Sequence, residues 1–202
     1  NWAAQKVVHI GESKALSTNA LHFWILKFAA ELAMEKNLPS ASIEYAKMAE
    51  QLASAIRKEF WLPEEGLFSA VKMGPLDGAT LVQFDLLGES LTIALGIATQ
   101  EQARSVLAHY PISDAGPPVV WPEKSEVPIY HNRAIWPFVT AYSLRAARIA
   151  ENPKWIHEAI ISLLRGTALN LSNMENFEYL TQANWFSEGD KSGPVINSKR
   201  QL

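Results

Sequence analysis

Cysteine is absent from the 202 residues. A disulfide framework and a thiolate metal site are therefore excluded, and no redox compartment is implied. Strong charge of one sign is absent too: 18 basic residues stand against 21 acidic ones, a net charge of −3. Nothing here provides the electrostatic footprint for nucleic acid or a polybasic membrane patch. No apolar run approaches the ~20 residues of a membrane span, and no signal-like segment opens the chain. The first residues are Asn1 and Trp2 rather than Met, as expected of a processed or cut chain. Also missing are H-E-x-x-H, a P-loop, G-x-G-x-x-G and an EF-hand loop, and the G-x-S-x-G elbow of nucleophilic serine chemistry. His9, His22, His109 and His157 show no ligand spacing. No metal or organic cofactor is called for. No fixed-period repeat recurs, which disfavours a regular solenoid.

What is present is a large potential core. Hydrophobic residues make up 48% of the chain, with seven tryptophans spread along it. That composition excludes disorder as the default, and the length fits one domain or part of a larger one. Helical periodicity dominates. A first helix is predicted over 17–36, capped by Ser17 or Thr18, with Leu21, Ile25, Phe28 and Leu32 recurring at helical spacing. A second follows Pro39, capped by Ser40, with Ala41, Tyr45, Met48, Leu52, Ile56 and Phe60 in line. The short link Asn37-Leu38-Pro39 makes the two an antiparallel hairpin. Leu67 to Met73 reads as a short strand. A third helix is expected over 86–98. A fourth starts at Thr99, where Thr99 and Gln102 form a capping box, and ends near Tyr110-Pro111. A fifth spans 138–150 with Phe138, Ala141, Tyr142, Arg145 and Ile149 on one face. Asn152-Pro153 starts a sixth, with Ile156, Ile160, Leu163 and Leu164 as its stripe. This gives three helical hairpins with elaborated loops.

The longest loop, 111–137, is rich in Pro, and long ordered loops in compact domains are usually functional. It ends in Tyr130-His131-Asn132-Arg133-Ala134-Ile135-Trp136-Pro137, a polar and aromatic cluster feeding a helix N-terminus. Pro137 suits the first helical turn because its missing N–H would be unpaired there. A loop held by a rigid helix is a common place for binding groups.

Three stretches together resemble the six-hairpin (α/α)6-barrel glycosidases, the group that includes trehalase, processing α-glucosidase and debranching-enzyme-like glycoside hydrolases. The first is Leu16-Ser17-Thr18-Asn19-Ala20-Leu21, leading into a helix with Tyr45-Ala46-Lys47-Met48-Ala49. The second is Phe60-Trp61, followed by an acidic turn and Gly66-Leu67-Phe68. The third is His131-Asn132-Arg133-Ala134-Ile135-Trp136-Pro137, similar to the family's His-Asn-Gly-Ala-Ile-Trp-Pro but with Arg133 at the glycine. The resemblance implies an all-α fold: an (α/α)6 toroid of helical hairpins with short β-hairpins in its loops. Residues 1–202 would form part of a single catalytic domain, its C-terminal half. The remaining half of the barrel would come from the same parent protein.

The resemblance also implies glycoside hydrolysis by two carboxyl groups, one protonating the leaving oxygen and one acting as base. In these families the base lies late in the barrel on a Glu followed by an aromatic residue. The match is Glu178, within Asn176-Phe177-Glu178-Tyr179, and Glu175 is the second choice. The general acid belongs to an earlier loop and is expected either upstream of Asn1 or at Glu12, Asp85 or Glu89. Asp85 reads equally as the cap of the third helix. Trp136, Tyr130 and Trp121 are candidate sugar platforms. His131, Asn132 and Arg133 are candidate hydrogen-bonding groups for sugar hydroxyls. Against those roles, a histidine at a helix entry often binds only backbone, and Arg133 could pair with Glu123 or Glu126 across the loop. The expected partner is a carbohydrate, cleaved at an α-linked glucoside or related sugar with inversion. The alternatives are a polysaccharide lyase or sugar epimerase using Tyr130, His131 and Arg133 for proton abstraction, or a non-catalytic carbohydrate-binding domain. A soluble protein of bacterial periplasm or cytoplasm is the expected setting.

Overall fold

The computed structural model of the chain describes residues 13–74, 80–124, 131–172, 174–180, 182, 185–186 and 193–194. Six helices lie among them: α1 (Leu16–Glu35), α2 (Pro39–Glu59), α3 (Leu86–Ala94), α4 (Gln100–His109), α5 (Pro137–Ile149) and α6 (Pro153–Asn170). The α1–α2 and α5–α6 pairs pack as hairpins, and α1, α3 and α5 pack on one another in succession. In the third pair, α4 rests on the strand β3 (Leu67–Phe68). The result is the alternating inner and outer order of an (α/α)6 toroid, with α3 enclosed. Leu86 and every residue from Gly88 to Ile93 are buried on it. No described helix is long and apolar enough to cross a membrane.

Local signals account for most of the helix starts. Thr99 and Gln102 make the expected capping box on α4. The Asn152 side chain accepts from the Trp155 N–H at 2.9 Å, with Pro153 in the first turn of α6. Two expected caps are corrected. α1 starts at Leu16 behind Ala15, with no side-chain cap, because the Leu16 N–H donates to the Ala70 carbonyl at 2.9 Å. A tertiary contact thus satisfies a donor that Ser17 or Thr18 was expected to serve. α2 starts at Pro39, so Ser40 lies inside the helix and caps nothing. α3 stops at Ala94 rather than running on to Ala98, because Gly96 turns the chain at φ +74°. The expected strand from Leu67 to Met73 is two, β3 and β4 (Val71–Lys72), which pair with different partners.

Packing decides which faces of the helices are buried. Leu21, Ile25, Phe28 and Leu32 of α1 are 42–54% exposed. The buried positions of that helix are Leu16, Ala20, Phe23, Ala30 and Ala33. On α2 the predicted stripe splits: Tyr45 and Met48 face outward, whereas Ile56 and Phe60 are buried along with Ser42, Ala49 and Ala53. On α5, Phe138, Tyr142 and Ile149 are exposed while Val139, Thr140, Ser143, Ala146 and Ala147 are covered. On α6, Ile160 and Leu164 are exposed, while Trp155, Ala159, Ser162 and Gly166 pack inward. Small residues form the seams because they let helix axes approach closely. Ser42 Oγ donates to the Ala30 carbonyl across the α1–α2 seam at 2.8 Å. The Trp155 indole N–H donates to Ser143 Oγ at 3.1 Å between α6 and α5.

The remaining structure is a series of two-residue ladders. They are β1 (Lys14–Ala15) with β4, β2 (Trp61–Leu62) with β3, β5 (Phe84–Asp85) with β6 (Val120–Trp121), and β7 (Ala134–Ile135) with β8 (Phe177–Glu178). A last pair joins β9 (Trp185–Phe186) and β10 (Gly193–Pro194). Backbone hydrogen bonds link several ladders into a collar. Leu16 donates to Ala70, Ala70 to Gln83, Leu86 to Val119, and Val119 to Ala134, while Ala134 pairs with Glu178. The collar ties the N-termini of α1 and α3 to the two stretches singled out in the sequence, 131–137 and 174–180.

Candidate active site

Where the first turns of α1, α3 and α5 meet the collar, a pocket of about 190 Å3 opens. Ala15 and Ser17 line it from α1, Asp85 and Leu87 from α3, and His131, Trp136 and Phe138 from the entry to α5. This is smaller than the ~300–1,000 Å3 of drug-sized sites. It suits one small ring rather than a length of polymer.

Asp85 is the carboxyl group on the pocket wall. It caps α3, as expected: Oδ1 accepts from the Gly88 N–H at 2.8 Å. Burial raises its pKa to about 6, opposed by the hydrogen bonds from the Gly88 and Leu87 backbone. Gly88 is needed for that geometry. A Cβ there would stand 2.6 Å from Asp85 Oδ2 and 2.9 Å from a Leu16 methyl. One turn along α3, Glu89 is fully buried. Its Oε1 accepts from the Phe68 N–H at 2.8 Å, and its Oε2 has no hydrogen-bond partner among the described residues. Burial first, and the charge of Asp85 second, push the Glu89 carboxyl well up. Both carboxylates also raise the Tyr110 phenol, whose shift comes mainly from burial; its hydroxyl donates to the Pro118 carbonyl at 2.9 Å.

The 131–137 stretch is held from three directions. The Asn132 amide is tied to the backbone of Lys124: Oδ1 accepts from its N–H and Nδ2 donates to its carbonyl, both at 2.9 Å. Asn132 is buried and fastens the described ends of the loop, at Lys124 and Asn132, together. His131 stacks on Trp136 with ring centroids 4.7 Å apart and planes 3° from parallel. One indole face is thus covered by imidazole, and Trp136 is 8% exposed. Burial keeps the His131 pKa below its usual value, which favours neutral imidazole at neutral pH. The aromatic ring that stands open at the pocket is Phe138, 51% exposed and edge-on to Trp136 at 6.0 Å. The sequence places Phe138 on one face of the fifth helix with Ala141, Tyr142, Arg145 and Ile149. Its position directly after Trp136-Pro137, at the start of an inner helix, was the available signal. Trp121 lies in β6 opposite Phe84 and packs against the core; it is not among the residues lining this pocket.

Arg133 occupies the left-handed region at φ +59°, a conformation glycine adopts without cost. The loop keeps the shape that glycine permits, and the long side chain has a second use. Arg133 Nε donates to Glu178 Oε1 at 2.9 Å, and Nη1 lies 3.7 Å from Glu123 Oε1. The expected pairing with Glu123 is therefore present, alongside one with Glu178. Glu178 is 1% exposed, its Oε2 accepts from the Leu180 N–H at 3.2 Å, and the backbone of Tyr179 donates to the Arg133 carbonyl at 3.3 Å. Arg133 and Glu178, 45 residues apart, thus join the two sequence stretches by main chain and side chain. Glu178 is not among the pocket-lining residues. Glu175 is half-buried, and its charge reaches His131. Glu12, Glu126 and Tyr130 lie outside the described residues. Among the described residues no group of three or more His, Asp or Glu could hold a metal ion.

No protein-family model matches the chain, and no curated protein does. Solved structures do match. A sialidase superposes with a TM-score of 0.69 at 11% identity, over 91% of this chain and 18% of its own. Neutral trehalase Nth1 from Saccharomyces cerevisiae gives 0.68 at 14% identity, over 85% of this chain and 35% of its own. The GH63 mannosylglycerate hydrolase from Thermus thermophilus, solved in complex with glucose, gives 0.64 at 17% identity, over 89% and 45%. The resemblance to six-hairpin glycosidases read in the sequence is borne out as a likeness of fold, and the chain spans less than half the length of each of these proteins.

Proposed function

We propose that the protein is a glycoside hydrolase and that this chain supplies part of its active-site wall. The observation that carries the reading is the collar, which brings the 131–137 and 174–180 stretches to the N-termini of the inner helices beside a pocket for one small ring. The solved structures of like fold include a trehalase and a mannosylglycerate hydrolase, which supports the class. An exo-acting, inverting reaction on an α-linked gluco- or related oligosaccharide is the specific form proposed, with the rest of the barrel coming from the parent protein.

The base is proposed on the 174–180 turn. The resemblance favours Glu178, whose carboxylate is held in one orientation by Arg133 and the Leu180 N–H. Glu175 is the alternative, favoured by the reach of its charge to His131. A base must meet a water on the far side of the sugar from the leaving oxygen. The general acid is assigned to a group outside the described residues, Glu12 or one beyond this chain. A second reading, as a polysaccharide lyase or sugar epimerase, draws on His131, whose imidazole is kept neutral and lines the pocket.

The test is sugar release from α- and β-linked oligosaccharides by the full-length protein, with Glu178→Gln and Glu175→Gln alongside. Release by the wild type and a loss of about 10^3-fold in one variant is expected, since a general acid–base group typically contributes about 10^2–10^4-fold. An unsaturated product, with dependence on His131 and not on either Glu, would replace this reading by the lyase. Sugar binding without turnover would replace it by the non-catalytic binding domain.

A further inference from the structure

We propose that Asp85 is a substrate-binding residue: its carboxylate, at the N-cap of α3 on the pocket wall, accepts hydrogen bonds from hydroxyls of the single sugar ring held between it and the Trp136–Phe138 aromatic edge. The inference rests on the glycosidase reading above and assigns a specificity group to that site.

The capping bond fixes the side chain. Oδ1 takes the Gly88 N–H at 2.8 Å, and the Gly88 hydrogen that replaces a Cβ leaves the carboxylate lying flat against the helix. A carboxylate offers about four acceptor sites, and the cap uses only part of them. Asp85 lines a pocket whose other walls are largely apolar: Ala15, Leu87, Val119, Val120, Phe138 and Val139. An acceptor beside aromatic and aliphatic surface is the pattern a sugar ring satisfies, with O–H donors on its edge and C–H groups on its face. A group committed to a helix cap is poorly suited to swing and deliver a proton, which separates this role from that of the general acid. With a pKa of about 6, the group is ionised at neutral pH and able to accept. The titratable groups around it are Glu89 on its own helix, Tyr110 at the end of α4 and His131 at the entry to α5.

The experiment compares wild type with Asp85→Asn in the full-length protein. Asn caps a helix as well as Asp does, so the fold is retained, and thermal melting checks this. On the best substrate of the oligosaccharide panel, Asp85→Asn should raise KM by roughly tenfold or more, the worth of a hydrogen bond to a charged group, with a smaller effect on kcat. In the wild type KM should rise as pH falls through about 6, and in Asp85→Asn the Asp85 part of that rise should be lost, leaving only what His131 contributes to both. Cleavage with the same KM and the same pH dependence in both proteins overturns the assignment and leaves the glycosidase reading intact. Wild type that cleaves nothing in the panel overturns both. Asp85→Ala provides a second comparison: it removes the cap as well, and a loss confined to stability, with KM unchanged in the folded fraction, also overturns the assignment.

Discussion

Replacing Arg133 by glycine pits two effects against each other in one substitution. Arg133 holds φ +59°, and the left-handed region costs a non-glycine residue roughly 1–2 kcal/mol. Glycine would relieve that. The same change removes the guanidinium from Glu178, whose side chain is only 2% exposed. Breaking a buried pair by deleting one partner costs about 3–5 kcal/mol, because the other charge is left behind without it. The low end applies here, since Arg133 is 19% exposed and Glu178 keeps the Leu180 N–H. The pair outweighs the strain, and Arg133→Gly should destabilise by about 1–2 kcal/mol. For a domain of this size that lowers Tm by roughly 2–8 °C. Arg133→Ala keeps the strain and loses the pair, so it should be worse by a further ~1 kcal/mol. Adding Glu178→Gln to Arg133→Gly should recover part of the loss, and urea unfolding of wild type, the two single variants and the double variant gives the coupling energy. An Arg133→Gly protein as stable as wild type would refute the argument, because it would mean the Glu178 charge does not depend on this partner.

Gly88→Ala should destabilise by about 1–2 kcal/mol despite alanine's better helix propensity, since the new Cβ meets both the capping carboxylate and Leu16; thermal melting checks it, and a stabilised variant would contradict the contact. Glu89 has a folded-state pKa raised above its unfolded value. Its contribution is therefore fully present below pH ~4.3 and is lost as pH rises through the folded pKa. The stability of Glu89→Gln relative to wild type should accordingly climb with pH, and a difference that is flat with pH would count against the shift. The isolated 202-residue chain should self-associate through its exposed stripes, above all Trp24 and Phe28, whose rings stack 6.0 Å apart and stand 51% and 54% exposed. Light scattering that finds a monomer melting cooperatively would overturn this.

The helices and several of their ends were legible in the sequence because the signals are local. Thr99 with Gln102 and Asn152 with Pro153 need only their neighbours to act as caps. The stretch from His131 to Pro137 stands out by residue type, whereas Glu178 is singled out only through the family resemblance. Which stripe is buried was not legible, for a physical reason. α1 carries apolar residues on more than one face, and periodicity identifies Leu21, Ile25, Phe28 and Leu32 as a stripe without saying what meets it. In this chain the close-packed seams fall to Ala20, Ala30 and Ala33 instead.

By itself, then, the sequence determined an all-α chain of helical hairpins, most of its breaks, and a short set of candidate site residues. The tertiary structure decided the rest through contacts between residues far apart in sequence. The bond from Leu16 to Ala70 replaced a side-chain cap. The ladder of Ala134 with Glu178 brought two motifs together. The ion pair of Arg133 with Glu178 gave a use to a residue standing in a glycine conformation. Asp85 shows the division in one side chain: its capping role was written in the local sequence, whereas its place on the pocket wall beside His131, Trp136 and Phe138 required α3 and α5 to pack side by side.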